Sequence, residues 1–400
     1  MRALRLFAYG GLAVVIALYL VEIGLDPGQI GLLLALTLAG DALVSLVLTT
    51  HADRIGRRTT LVIGAALMVL GGLVFAATGQ FAVLLAAAIV AVLSPTGNEV
   101  GPFLAVEQAA LTEVVPGRRR TATFAWYNLV GYVATATGAL GAGLLGQALL
   151  TAGFREVDAY RAVVVGYALI GLAMAALATR LGPDIEVDTA PRADDGIARR
   201  LGLGRSRSVV LRLSALFSID AFAGGFIPQS LMAYWFSLRF GVSPAALGGI
   251  FFAANMLAAV SSLSAARIAA RIGLIETMVF THLPSNVLLI LVPLMPNLPL
   301  AVAVLLLRFS LSQMDVPTRQ SYVMAVVQPD ERSAAAGVTG IARTVGASIS
   351  PSVSSVLVAS ASTAALPFFL AGGLKIVYDL LVYRDFRSVR PPEESAQPAK

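Results

Sequence analysis

No cysteine occurs among the 400 residues, which excludes disulfides, thioether haem attachment and thiolate metal sites. Histidine is nearly as scarce. His51 and His282 stand alone in the sequence, without H-E-x-x-H spacing or another ligand partner, so no metal site is expected at either. No cofactor is expected. A G-x-x-x-x-G-K-[ST] loop is missing, which removes direct nucleotide drive. No nucleophile–base pair is evident, so an enzyme is not expected. The shortage of charge says most. Asp, Glu, Lys and Arg make up 13% of the chain against about 25% in soluble domains. The chain is 57% hydrophobic with a mean hydropathy of +0.81, a composition that belongs in a bilayer.

About 20 apolar residues cross a membrane. Twelve such spans can be marked, near 4–24, 28–50, 60–79, 81–113, 121–150, 160–179, 209–238, 244–266, 273–293, 297–327, 333–360 and 362–383. The first, MRALRLFAYGGLAVVIALYL, starts like a signal peptide, but no A-x-A site follows and it is kept as a span. Basic residues orient the chain. With both termini inside, the cytoplasmic side holds 22 Lys and Arg. The outer loops hold 3 (Arg155, Arg161, Arg239), and 4 lie within spans (Arg308, Arg319, Arg343, Lys375). This is the positive-inside pattern, and it accounts for the net charge of +6. No basic stripe is interleaved with aromatics, so no nucleic-acid partner is expected. The prediction is a multi-pass protein of the inner (plasma) membrane with cytoplasmic termini.

The chain repeats itself. ALRLFA in span 1 answers VLRLSA in span 7, and GLDPGQIG answers GVSPAALG before spans 2 and 8. HADRIGRR answers SAARIAAR at an offset of 213, and QAALTEVVPGRRRTA answers QSYVMAVVQPDERSA at 212. The fold class that follows is an all-α membrane protein with two pseudo-symmetric six-helix bundles. The expected bundles cover 1–179 and 209–384, joined by a cytoplasmic linker over 180–208 and followed by a disordered tail over 385–400.

Two spans are damaged at matching places, over Ser94–Gln108 and Ser310–Gln320. Each places Pro or Gly beside ionisable groups, and lipid satisfies neither a freed carbonyl nor a lone carboxylate. Matching interruptions in the two halves point to a transport site.

The loop after span 2 carries H-A-D-R-I-G-R-R, and the chain resembles the major facilitator superfamily there. That family's signature is roughly G-x-x-x-D-R-x-G-R-R. Asp53, Arg54, Gly56, Arg57 and Arg58 match, while Thr49 replaces the first glycine. Gly56 suits a tight turn, and Asp53 can cap a helix or pair with arginine. The resemblance implies a secondary transporter, a gating role for this loop, and a central cavity lined by helices 1, 4, 7 and 10. Antiporter-type motifs depart from pattern. R-x-x-x-G is absent from span 4, and TGALGAG (137–143) has Ala139 at the proline position, whose counterpart in span 11 is Pro351.

On those helices the substrate and proton-coupling candidates are Asn98, Glu99 and Glu107 in span 4, Asp220 in span 7, and Arg308, Gln313, Asp315 and Arg319 in span 10. A carboxylate in a low-dielectric cavity can load and release a proton near neutral pH. Glu99 and Glu107 are read as proton carriers, with Arg308 and Arg319 as modulators or anion ligands. Arg308, Asp315 and Arg319 share one face of a continuous helix. Asp315 and Arg319 are equally readable as a structural i, i+4 pair. Asp41 is read as structurally partnered, Arg343 as snorkelling to the interface, and Trp235 as part of an aromatic belt. Four acids against two arginines favour proton-coupled export of a neutral or cationic compound; the alternative is uptake of an anionic solute. A non-transporting membrane sensor or enzyme is the remote alternative. The expected partners are a small-molecule substrate, protons and lipid, with the protein a monomer.

Overall fold

The computed structural model describes residues 1–98, 101–114, 117–182, 185–186, 205–328 and 331–389. The first half of the chain forms α1 (Arg2–Glu22), α2 (Pro27–Ile55), α3 (Arg57–Ala77), α4 (Phe81–Val90), α5 (Phe103–Val114), α6 (Gly117–Thr151) and α7 (Glu156–Ala178). The second half forms α8 (Arg207–Gly225), α9 (Gln229–Phe240), α10 (Pro244–Ile272), α11 (Leu274–Leu291), α12 (Leu298–Ser312) and α13 (Asp315–Val326). It ends with α14 (Arg332–Ile349), α15 (Pro351–Ala359) and α16 (Leu366–Phe386). No strand occurs among the described residues. Eleven apolar helical stretches in that set are long enough to cross a membrane. The remaining expected span, the fourth, is split into α4 and α5, so the twelve spans are accounted for.

Backbone packing divides the chain into two compact units. The first comprises Met1–Arg192, Pro228–Met256 and Pro351–Ala364. The second comprises Ala193–Ile227, Leu257–Ser350 and Ala365–Lys400. The linker expected over 180–208 lies mostly outside the described residues, as does the tail beyond 389.

In the first unit α1 is the interior helix. Its apolar window is 83% buried, while those of α2, α3 and α7 are 50%, 44% and 39% buried. Glycines let its backbone approach α6. A Cβ on Gly10 would lie 2.1 Å from the Thr135 carbonyl oxygen, and one on Gly138 would lie 1.9 Å from that of Phe7. The TGALGAG stretch is thus a packing surface of the small-residue kind used between membrane helices.

The turn chemistry follows the sequence closely. At the start of α2, Asp26 Oδ1 accepts from the Gln29 N–H at 2.9 Å, and Gln29 Oε1 accepts from the Asp26 N–H at 3.1 Å. With Pro27 in the first helical position this is a complete capping box. Ser243 and Pro244 repeat half of the device before α10, where the Ala246 N–H donates to Ser243 Oγ at 3.4 Å and alanine offers no return bond.

One repeat register needs correction. The 213 offset pairs Gly56 with Ala269, yet the turn corresponding to Gly56 (φ 92°) falls at Gly273 (φ 96°). A positive φ at both turns explains the glycines. α2 and α10 are both 29 residues long, and the true offset is 217, which aligns R-I-G at 54–56 with R-I-G at 271–273. The R-I-x-x-R resemblance was displaced by one helical turn. The seventh span, broken between α8 and α9, runs 34 residues against 21 in the first, and that extra length shifts the register.

Because the Gly138 approach is backbone on backbone, Gly138→Val should cost at least the ~1–3 kcal/mol of overpacking. Gly166→Val, where an added Cβ meets nothing within 4 Å, should be tolerated. Thermal unfolding of the two variants in detergent distinguishes them; equal melting would refute the close-approach account.

Candidate functional site

Both damaged spans are broken, and the second half-helices begin at Phe103 and Asp315, an offset of 212. In the first unit the described residues between α4 and α5 are held by polar contacts, several from neighbouring segments. Tyr167 donates its hydroxyl hydrogen to the Val92 carbonyl, and the Ser230 N–H donates to the Pro95 carbonyl at 3.2 Å. Ser94 Oγ donates to the Asn98 carbonyl at 2.7 Å. These contacts supply what lipid does not. Asn98 is exposed, and Glu99 lies outside the described residues. In the second unit the break is short: the Gln313 N–H donates to Ser261 Oγ at 3.3 Å.

Glu107, an acid of α5, is bound by a base from α1. Arg5 Nη1 and Nη2 reach Glu107 Oε1 and Oε2 at 2.7 and 3.0 Å, a bidentate pair, and Tyr127 of α6 donates its hydroxyl hydrogen to Oε2. Arg5 is fully buried and sits 4.6 Å above the Phe103 ring. It is therefore a buried partner of span 4, whereas its place near the N-terminus grouped it with the cytoplasmic basic residues. Tyr127 likewise has a specific polar role beyond helix packing.

The second unit holds a larger cluster around Asp220 of α8, which is 3% exposed. Lys375 of α16 donates to its Oδ1. Arg343 of α14 and Arg319 of α13 donate to its Oδ2 at 3.0 and 3.2 Å. Arg319 also bonds Asp315 Oδ2 at 2.7 Å and so bridges two carboxylates. The i, i+4 pair expected from sequence is present, inside a wider network. Arg343 does not snorkel; it turns inward because an uncompensated carboxylate at Asp220 would be far costlier than the bend of a long side chain. Arg308 does not share a continuous helical face with Asp315 and Arg319, because the break at 313–314 separates α12 from α13. It is buried and 4.9 Å from the Phe309 ring, and its Nε has no hydrogen-bond partner among the described residues.

Glu107 and Arg319 occupy equivalent repeat positions, 212 apart. One is an acid held by a base of span 1. The other is a base held by an acid of span 7. The repeat kept one end of the ion pair and exchanged its sign, while the partner moved along the helix, since Arg5 aligns with Arg212 and not with Asp220.

Sequence reasoning missed His282, Asn286, Arg5, Lys375 and Asp379 as site members. His282 is not isolated, since its Nδ1 lies 2.8 Å from Asp379 Oδ1. A signal existed: His282 with Asn286 and Lys375 with Asp379 are two i, i+4 polar pairs inside apolar spans. Trp235 is 1% exposed and packs edge-on to Phe236 and Phe240, which puts it in the interior of the first unit rather than in an interfacial belt. In the loop motif, Gly56 makes the turn, and the carboxylate of Glu186 accepts from the Arg57 and Arg58 N–H groups at 2.7 and 3.0 Å. The α3 cap thus comes from Glu186. The side chains of Asp53 and Arg54 lie outside the described set.

Residues 1–351 match the family model of the Major Facilitator Superfamily. The chain belongs to that superfamily. It is 32% identical over 407 residues to the uncharacterized membrane protein YJR124C of Saccharomyces cerevisiae, covering 95% of this chain and 91% of that one. Among solved structures it resembles the nucleoside transporter NupG (TM-score 0.72, 13% identity, 96% of this chain and 97% of that one). It also resembles a D-xylose–proton symporter (TM-score 0.73, 14% identity, 96% and 95%). These likenesses show the superfamily's fold of two six-helix bundles, and the superfamily makes the chain a secondary membrane transporter.

Arg5→Gln should strand Glu107 and cost about 3–5 kcal/mol, while the double variant Arg5→Met with Glu107→Leu should recover most of it. Thermal unfolding in detergent reads both. A double variant as unstable as the single one would show that the stranded carboxylate is not the cause.

Proposed function

We propose that this superfamily member is a proton-coupled transporter working by alternating access, and that its cargo is a small anionic solute. One observation carries the choice of cargo. Arg308 is a buried guanidinium whose Nε lacks a partner, and none of its nitrogens forms an ion pair among the described residues. Asp315 and Asp220 act on it from a distance without bonding it, and a cation lacking a bonded partner in an apolar span is costly unless something negative visits it. The acid count that favoured a cationic cargo loses its force, because Glu107, Asp220 and Asp315 are each neutralised by bases. A carboxylate or phosphate ester suits a planar guanidinium donor. The excess of basic residues in the loops assigned to the inside supports cytoplasmic termini and a plasma-membrane location, and the protein is read as a monomer.

Export of a neutral or cationic compound is the second reading. It rests on the polar surroundings of the span 4 break, where the buried Gln229 Nε2 lacks a hydrogen-bond partner and exposed Asn98 is nearby in sequence to Glu99.

The test uses cells expressing wild type, Arg308→Gln, Arg308→Lys or Glu99→Gln, with labelled monocarboxylates, dicarboxylates, phosphate monoesters and organic cations, with and without a protonophore. An anion should accumulate with wild type, fall about tenfold with Arg308→Gln and return in part with Arg308→Lys. Reduced accumulation of a cation or neutral compound that depends on Glu99 but not on Arg308 would replace this reading with export.

A further inference from the structure

The Asp220 cluster has a component that ion pairing alone leaves unexplained. His282 and Asn286 of α11 and Asp379 of α16 are 4%, 0% and 1% exposed. Asn286 Nδ2 donates to Asp379 Oδ2 at 2.9 Å and lies 3.2 Å from His282 Nδ1. The opposite ring nitrogen, His282 Nε2, is 4.0 Å from Asp220 Oδ1, the same oxygen that Lys375 engages. The imidazole therefore lies between two carboxylates, bonded to one and short of the other.

Charge arithmetic makes this arrangement a switch. Asp220, Asp315 and Asp379 face Lys375, Arg319 and Arg343, and Arg308 acts on Asp220 and Asp315 from α12, so the set carries one surplus positive charge when the ring is neutral. In that state the ring proton sits on Nδ1 and is donated to Asp379, because a bare nitrogen facing a carboxylate would repel it. Nε2 then presents a lone pair toward Asp220. A second proton placed there makes an imidazolium that competes with Lys375 for Asp220 Oδ1 and adds one positive charge.

We propose that His282 Nε2 is the loading site of the coupled proton, with Asp379 fixing the ring's tautomer and Asn286, which donates to Asp379, positioning that carboxylate. The inference rests on the transport reading above and adds its direction of coupling. Protonation adds a positive charge beside Asp220, one of the acids that act on Arg308, so a proton and an anion at Arg308 bind together. The titratable and charged groups around His282 are Asp379, Lys375 and Tyr378 from α16, Asp220 from α8 and Arg319 and Asp315 from α13. Arg308 of α12 and Arg343 of α14 complete the set. Among these, His282 alone has an unprotonated nitrogen aimed at a carboxylate that already has other partners.

The chain has only two histidines, so His51→Gln leaves one reporter. With ¹⁵N-labelled histidine in nanodiscs, the nitrogen signals report the ring's tautomer and charge, and lowering the pH over the range in which the protein stays folded should convert an Nδ1–H ring into imidazolium. At pH 6.5 the imidazolium fraction should rise in Lys375→Gln, which removes the competitor, and fall in Asp220→Asn, which removes the attraction. A ring whose signals do not change over that range, or whose ionised fraction both variants leave unaltered, overturns the proposal. In cells, His282→Gln should abolish the protonophore-sensitive part of anion accumulation; accumulation as protonophore-sensitive as wild type would also overturn it. Failure of the wild type to accumulate any anion would instead strike the transport reading, and the ring titration would still decide this one.

Discussion

Charge inside an apolar helix bundle has to be compensated by side chains, because neither lipid nor bulk water can do it. Asp220 is where this constraint binds most tightly. Its two oxygens receive Lys375, Arg343 and Arg319, drawn from three different helices, and Arg319 passes on to Asp315. Removing the carboxylate would strip Lys375 and Arg343 of the acid they bond and leave Arg319 with Asp315 alone. The packing of α8 with α13, α14 and α16 in the second unit is thus tied to a single acidic side chain. Whatever moves in that unit during a transport cycle has to keep those charges paired or supply another partner.

The first unit obeys the same rule with less charge. Arg5, Glu107 and Tyr127 form a compact triad on α1, α5 and α6, and Arg2 covers the Tyr127 ring at 4.0 Å. The exchange of sign between Glu107 and Arg319 shows what duplication conserves. A break in the helix and an ion pair beside it are geometric requirements, and either residue of the pair can sit on either helix.

Much of this was legible beforehand. The two breaks, the turn at Gly56, the capping box at Asp26 and the small-residue surface of α6 are local devices. Each depends on a few adjacent residues with distinctive backbone or hydrogen-bonding chemistry. The repeat was visible too, though R-I-x-x-R set its register one turn early, since a helical turn preserves the face of a helix and so imitates a true alignment. The interior position of Trp235 was not visible, because a tryptophan at the end of a span reads alike whether its neighbours are lipid or another helix.

The amino-acid sequence alone determined that the chain enters a membrane, crosses it about twelve times, repeats itself and interrupts two spans. Those properties follow from local composition and from the free energy of placing apolar or polar groups in hydrocarbon. The tertiary structure decided which charges meet. Arg5 with Glu107, Arg343 and Lys375 with Asp220, and His282 with Asp379 are separated by 97 to 155 residues. Side chains so far apart are paired by the packing of whole helices, which fixes distances that no local pattern encodes. That is why a histidine that looked solitary in the chain lies between two carboxylates in the fold.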